Sequence, residues 1–215
     1  MDNVLLPLLQ SPQLPGYVRE LTDYLQEEDA NRQRFYKEVR DDYKAEFING
    51  EIICHSPAKQ KHILAVERLG NILSAFVRKR KLGMVMREKA LVRLQRNDFE
   101  PDICFFNKDI SEGFTAETMF YPAPQFIAEV LSNTTEKRDR GIKMDDYALH
   151  GVQEYWLVNP DAQEVEQYIL NGEVYVLKEK LSHGTVRCAV LTPLEIPVAA
   201  IFEEEANDAF FAQMV

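Results

Sequence analysis

The sequence predicts a mixed α/β (α+β) fold: a mixed central β-sheet flanked by helices. Three observations carry this. An apolar run, a helical segment and a second apolar run follow one another over residues 126–158, the pattern of a crossover between parallel strands. Two Asn-Gly pairs, Asn49-Gly50 and Asn171-Gly172, each lie between β-prone runs and mark antiparallel hairpins. Residues 59–80 repeat apolar side chains at helical spacing, so a long amphipathic helix needs a sheet to cover. Parallel and antiparallel pairs together make the sheet mixed.

Taken in order, residues 17–43 read as a helix with Val18, Leu21, Leu25, Phe35 and Tyr36 on its apolar side. The hairpin at Asn49-Gly50 follows, and Pro57 closes it. On the 59–80 helix the recurring residues are Ile63, Val66, Leu69, Ile72, Leu73, Phe76 and Val77. Residues 84–94 alternate and read as one half-buried strand. Met84, Met86, Ala90, Val92 and Leu94 take one face, Arg87, Lys89 and Arg93 the other, and Glu88 is the single charge on the apolar side. FEPDICFF is a further strand, entered through Pro101. Next come a strand at 126–131, a helix over 134–150 with Asn133 as N-cap and Gly151 as its stop, and the buried strand QEYWLVNP. The second Asn-Gly hairpin closes the core, and the segment after Pro197 reads as peripheral. The domain division expected is a helical extension over 1–40, the sheet domain over 41–200 and a tail over 201–215.

The chain has 215 residues, 46% hydrophobic and 28% charged, enough to bury a core in one domain. A net charge of −10, from 25 basic and 35 acidic residues, argues against a surface that grips nucleic acid all over. Yet from Arg78 to Arg96 every charge but Glu88 is basic. Such a stripe serves either phosphate contact or solvation. No apolar run reaches the ~18 residues of a membrane span, and no basic lead precedes the apolar patch at the N-terminus. Cys54, Cys104 and Cys188 lack CxxC spacing and read as reduced thiols. A cytoplasmic location with no membrane partner is the expectation.

Two acids stand out because their surroundings are apolar. Asp102 and Glu129 each lie in a strand that otherwise reads as buried, where an ionised carboxylate is costly unless paired or bound to a cation. One alternative is that each sits solvated or salt-bridged at a strand end. The other is that a divalent ion lies between them, and carboxylates with open water positions suit Mg²⁺ or Mn²⁺. Lys143 bears on the choice. From Glu129 to Asn133 an extended chain advances roughly 13 Å, and from Asn133 to Lys143 a helix returns about 15 Å. A crossover helix therefore brings Lys143 level with Glu129, with Asp139 and Tyr147 on the same face. An amine there can orient an attacking water, neutralise charge on a phosphate, or simply form a salt bridge.

The blocks AEFINGEIICHSPAKQKH, EPDICFF, FIAEVLSNTT, DRGIKMDDY and GVQEYWLVNP, in this order, resemble the Uma-two family of restriction-endonuclease-like proteins within the PD-(D/E)XK phosphodiesterase superfamily. The resemblance implies a restriction-endonuclease-like fold and metal-dependent cleavage of DNA. It makes Asp102 and Glu129 metal ligands, with the Val130 carbonyl a third candidate. In the parent pattern the lysine stands two residues after the glutamate, where this chain has Leu131, so Lys143 is its relocated counterpart. Glu46 and His62 also match the blocks. Glu46 is either an acid reaching the metal through water or a strand glutamate paired with a lysine. His62 is either catalytic or a hydrogen-bonded structural residue, and Glu88 is a further candidate ligand. Arg87, Lys89 and Arg93 are the candidate backbone-phosphate contacts. A homodimer is expected from the chemistry of cutting two strands. The competing functions are a non-catalytic interaction module on the same fold and a phosphoesterase acting on another substrate.

Overall fold

A computed structural model describes residues 5–39 and 44–214. Six strands form one sheet, in the order Val174–Leu181, Glu164–Asn171, Glu154–Asn159, Phe126–Val130, Ile103–Asn107, Gly83–Arg87. Phe126–Val130 and Glu154–Asn159 run parallel, as the crossover requires, and the other pairs in this sheet are antiparallel. A second sheet holds Glu51–Cys54, Ala45–Ile48, Asp98–Phe99, Leu91–Arg93 and Phe120–Tyr121. A small two-stranded sheet pairs Thr185–Arg187 with Glu195–Pro197. The mixed α+β class is therefore as expected, but with two large sheets and this small one where a single sheet was predicted.

The central strands of the six-stranded sheet, Ile103–Asn107, Phe126–Val130 and Glu154–Asn159, are buried on both faces, and strand alternation sorts their side chains. Ile103, Phe105, Phe126, Ala128 and Trp156 meet Leu69, Ile72, Leu73 and Phe76 of the long helix Gln60–Arg80. Cys104, Phe106, Ile127, Tyr155 and Leu157 meet Val92 and Phe99 of the second sheet and Tyr147 of the helix Ile142–Leu149.

The first hairpin turns as its sequence demands. Ile48 faces Glu51, and the loop residues Asn49 and Gly50 have φ of 49° and 87°. Positive φ at both centres is the type I′ turn that matches strand twist, and Asn-Gly adopts it at little cost. In the second hairpin Asn171 pairs with Val174, so the loop is Gly172-Glu173, with φ 68° at Gly172. That is the II′ pattern, and Asn171 ends its strand instead of entering the turn.

Four sequence expectations change. The 84–94 run is not one strand: Gly83–Arg87 joins the first sheet and Leu91–Arg93 the second. The chain changes sheets at Glu88, where φ is 67° and the N–H donates to the Asp102 carbonyl at 3.0 Å. Its partner FEPDICFF breaks at the same level, into Asp98–Phe99 and Ile103–Asn107. Second, the 134–150 helix is two segments, Glu136–Asp139 and Ile142–Leu149. Asn133 is not the N-cap; Thr135 takes that position, and its own N–H donates to the Ser132 hydroxyl at 3.3 Å. Gly151 does follow the second segment.

Third, the N-terminal helix spans Leu14–Glu38, and Val18, Leu21 and Leu25 are exposed. It docks through its C-terminal half, where Phe35 is buried and Arg32 forks onto the buried Asp98 at 2.8 and 2.5 Å. The rest of its expected extent, 40–43, lies outside the described residues. Fourth, the segment after Pro197 is not peripheral. Val198, Ala200 and Ile201 are buried in the main core, and Phe210, Phe211 and Met214 of the helix Glu204–Met214 pack on it.

Candidate active site

Glu129 is in phase with Ile127, so it turns toward the second sheet, where the crossover delivers Lys143. The Lys143 Nζ lies 2.8 Å from Glu46 Oε1, 3.0 Å from Glu129 Oε1 and 3.4 Å from Asp139 Oδ1. All four side chains are buried. The Tyr147 hydroxyl donates to the same Glu129 oxygen at 3.1 Å, and the Asp102 N–H to the other at 3.2 Å. The Asp102 carboxylate has other partners. Its Oδ2 accepts the Val130 N–H at 2.8 Å, its Oδ1 accepts from Lys44 Nζ at 2.6 Å, and His62 Nε2 stands 3.6 Å from Oδ2.

The electrostatics follow from burial against pairing. Burial alone would raise Glu46, but Lys143 and His55 outweigh it and hold the carboxyl at about 2. Burial acts the same way on Asp102, and Lys44 with His62 brings it well below the usual carboxylate range. For Glu129, burial wins: with Asp102 and Asp139 nearby it is pushed up despite Lys143. Burial also pushes Glu100 up to about 7. Lys143 loses hydration on burial, yet its carboxylates raise it well above the ordinary lysine value.

Four buried acids (Glu46, Asp102, Glu129, Asp139) thus share two amines, Lys44 and Lys143. Asp139 Oδ1 and Glu46 Oε2 accept no hydrogen bond. The latter lies 3.0 Å from His55 Nε2, an ion-pair distance without hydrogen-bond alignment. Excess buried acid with unfilled oxygen lone pairs fits a divalent cation.

Asp102, Glu129, Lys143, Glu46 and His62 therefore converge, although they span nearly a hundred residues of chain. The proposed phosphate contacts do not form one stripe. Arg87 runs over Gly70 of the long helix and donates to Asn71 Oδ1 at 2.9 Å. Arg93, in the other sheet, lies over the rings of Tyr36 and Phe120, at 4.5 and 5.0 Å. Arg96 pairs with Glu28 at 2.7 Å. Lys89 stays near the site, where its charge opposes the rise of Glu100. Sequence reasoning missed Lys44, His55 and Glu100. A signal existed for two of them: Lys44 is two residues from Glu46 and Glu100 two from Asp102, the spacing of one strand face.

Two large sheets, a covering helix and a buried acid–amine cluster where the sheets meet define an α+β class of protein. The crystal structure of a "putative nuclease belonging to DUF820" from Anabaena variabilis is similar to this chain, with a TM-score of 0.67 at 19% identity. The match covers 78% of this chain and 94% of that one, and at such identity the likeness is one of fold. Among curated proteins no match was found. The model of the Uma2 family, described as "Putative restriction endonuclease", matches residues 28–199, and the chain belongs to that family.

Proposed function

We propose that the protein is a metal-dependent endonuclease that hydrolyses phosphodiester bonds in DNA, with Mg²⁺ or Mn²⁺ as its ion. The observation that carries this is the buried excess of acid, four carboxylates around two amines. Asp102 and Glu129, with the Val130 carbonyl, are the oxygens assigned to the ion. A bound divalent cation supplies Lewis acidity toward the phosphate and a more acidic water. Lys143 keeps Glu46 and Glu129 oriented and holds its proton at Nζ against three acids. Glu46 fixes that amine from the far side. Lys44, bound to Asp102 and partly exposed, is the second amine available to meet phosphate charge. His62, in the first turn of its helix, faces the same carboxylate from the solvent side.

Arg87 and Lys89 flank Glu88 at the mouth and are the nearer phosphate contacts of this reading; Arg93 is the more distant third. The Arg78–Lys81 cluster lies about 24 Å from His62 along the helix. That corresponds to roughly seven nucleotides of one strand, so it would meet DNA well away from the cut. A homodimer would supply one site per strand. A cytoplasmic setting is supported by three unpaired cysteines and by the absence, among the described residues, of a helix long and apolar enough to cross a membrane.

The test is nicking of supercoiled plasmid across Mg²⁺ and Mn²⁺ concentrations. The parent is expected to nick, and Asp102→Ala to lose about a hundredfold or more of the rate. A second reading, a non-catalytic module on the same fold, draws on the capture of Asp102 by Lys44 and of Glu129 by Lys143. Parent activity no higher than that of Asp102→Ala on plasmid and on small phosphodiesters would favour it.

A further inference from the structure

A different set of ligand atoms lies at the mouth of the cluster. A ring nitrogen of His62, a carboxylate oxygen of Glu88 and one of Asp102 all lie within 4.8 Å of one another. We propose that His62, Glu88 and Asp102 form a site for a divalent transition ion, outside the Glu129–Lys143 pair and sharing only Asp102 with it. The inference rests on the nuclease reading only through that shared carboxylate.

Geometry separates the two positions. Both Glu129 oxygens are already engaged, Oε1 by Lys143 and Tyr147 and Oε2 by the Asp102 N–H. Glu88, by contrast, is only half-buried, and its carboxylate has no hydrogen bond or ion pair among the described residues. Its backbone is tied to the site, since the N–H donates to the Asp102 carbonyl at 3.0 Å and the left-handed φ of 67° turns the chain there. His62 Nε2 and Asp102 Oδ2 are 3.6 Å apart, too far for a hydrogen bond. Two ligands each about 2.1 Å from one ion would show that separation at an angle of roughly 120°, near tetrahedral. Lys44 occupies the other Asp102 oxygen, and Oδ2, which accepts the Val130 N–H at 2.8 Å, keeps a second lone pair for a cation beside the imidazole. Two carboxylates and a neutral imidazole supply a charge of about −2 to match the cation. The open side faces solvent, leaving room for water or a phosphate oxygen. The imidazole sets the preference: Mg²⁺ favours all-oxygen sites, while a nitrogen ligand suits Co²⁺ and Zn²⁺.

The experiment is a Co²⁺ titration of the full chain, followed by calorimetry and by the visible d–d bands of the bound ion. The parent is expected to bind one Co²⁺ with bands that report nitrogen and oxygen ligation. His62→Ala and Glu88→Gln should each weaken binding by about tenfold or more and alter the bands, with circular dichroism unchanged. Glu129→Gln should leave binding within a few-fold of the parent. Parent-like Co²⁺ binding in both His62→Ala and Glu88→Gln, or no binding by the parent, overturns the proposal. Plasmid nicking is measured separately. A parent that binds Co²⁺ through these residues but nicks with no metal would end the nuclease reading and leave this one standing. Nicking in Mg²⁺ without a His62- and Glu88-dependent ion would do the reverse.

Discussion

Lys143→Met is expected to lower the unfolding free energy by about 3–5 kcal/mol, as happens when one partner is removed from a buried ion cluster. The amine is 2% exposed and touches three buried carboxylates, Glu46, Glu129 and Asp139. Without it those acids keep the cost of burial and lose their nearest cation, so their pKa values should rise. A group whose folded pKa is raised contributes stability at low pH that is lost as pH rises. The variant should therefore regain stability between neutrality and pH 5, where the parent gains less. Urea unfolding of both proteins at pH 5 and pH 7.5 checks this. Adding Glu129→Gln to Lys143→Met should cost less than the sum of the two single changes, because the amide removes one of the orphaned acids. Equal stability of Lys143→Met and the parent at pH 7.5 would mean that the amine does not hold the acids together.

The second large effect is a bell in stability against pH, set by two neighbouring glutamates that move in opposite directions. Glu46 has a folded pKa of about 2 against an ordinary 4.5. A depressed carboxylate contributes stability above its unfolded pKa and loses it as pH falls toward the folded one. At about 1.4 kcal/mol for each tenfold change in proton affinity, Glu46 contributes roughly 3 kcal/mol, lost between pH 4.5 and 2. Glu100, raised by burial to about 7, does the opposite: its contribution is present below 4.5 and is lost as pH rises through 7. For these two groups the maximum falls near pH 4.5, not at neutrality. Urea midpoints from pH 2.5 to 8 should show both limbs. Glu46→Gln should flatten the acid limb and Glu100→Gln the limb between pH 5 and 7. If Glu100→Gln leaves that limb unchanged, Glu100 is ionised in the folded protein and its assignment is wrong.

Much of this architecture is legible in the sequence. Asn49-Gly50 announced its turn because few other dipeptides accept positive φ twice. The apolar period of 60–80 announced a covering helix, and strand–helix–strand spacing announced the parallel pair. Even the arrival of Lys143 beside Glu129 followed from rise per residue, although the connecting helix is broken at Arg140-Gly141. The estimate survived because a crossover must return along its strand whatever the details of its turns. Alternation failed at 84–94 and at FEPDICFF for one reason. A period of two tells which side chains point inward but not which sheet receives them. The change of sheet at Glu88 is made by a backbone conformation that the residue type does not advertise.

The same division holds for the site. Composition and order along the chain were sufficient to single out Asp102 and Glu129, since a charge inside an apolar run is a local anomaly visible in one dimension. Which groups answer those charges was a matter of packing. Lys44 reaches Asp102, and Glu46 and Asp139 surround Lys143, because the Ala45–Ile48 strand and the crossover helix are laid against the same strand end. Coulomb energy depends on separation through space, and local pattern carries no information about separations between residues that folding alone brings together.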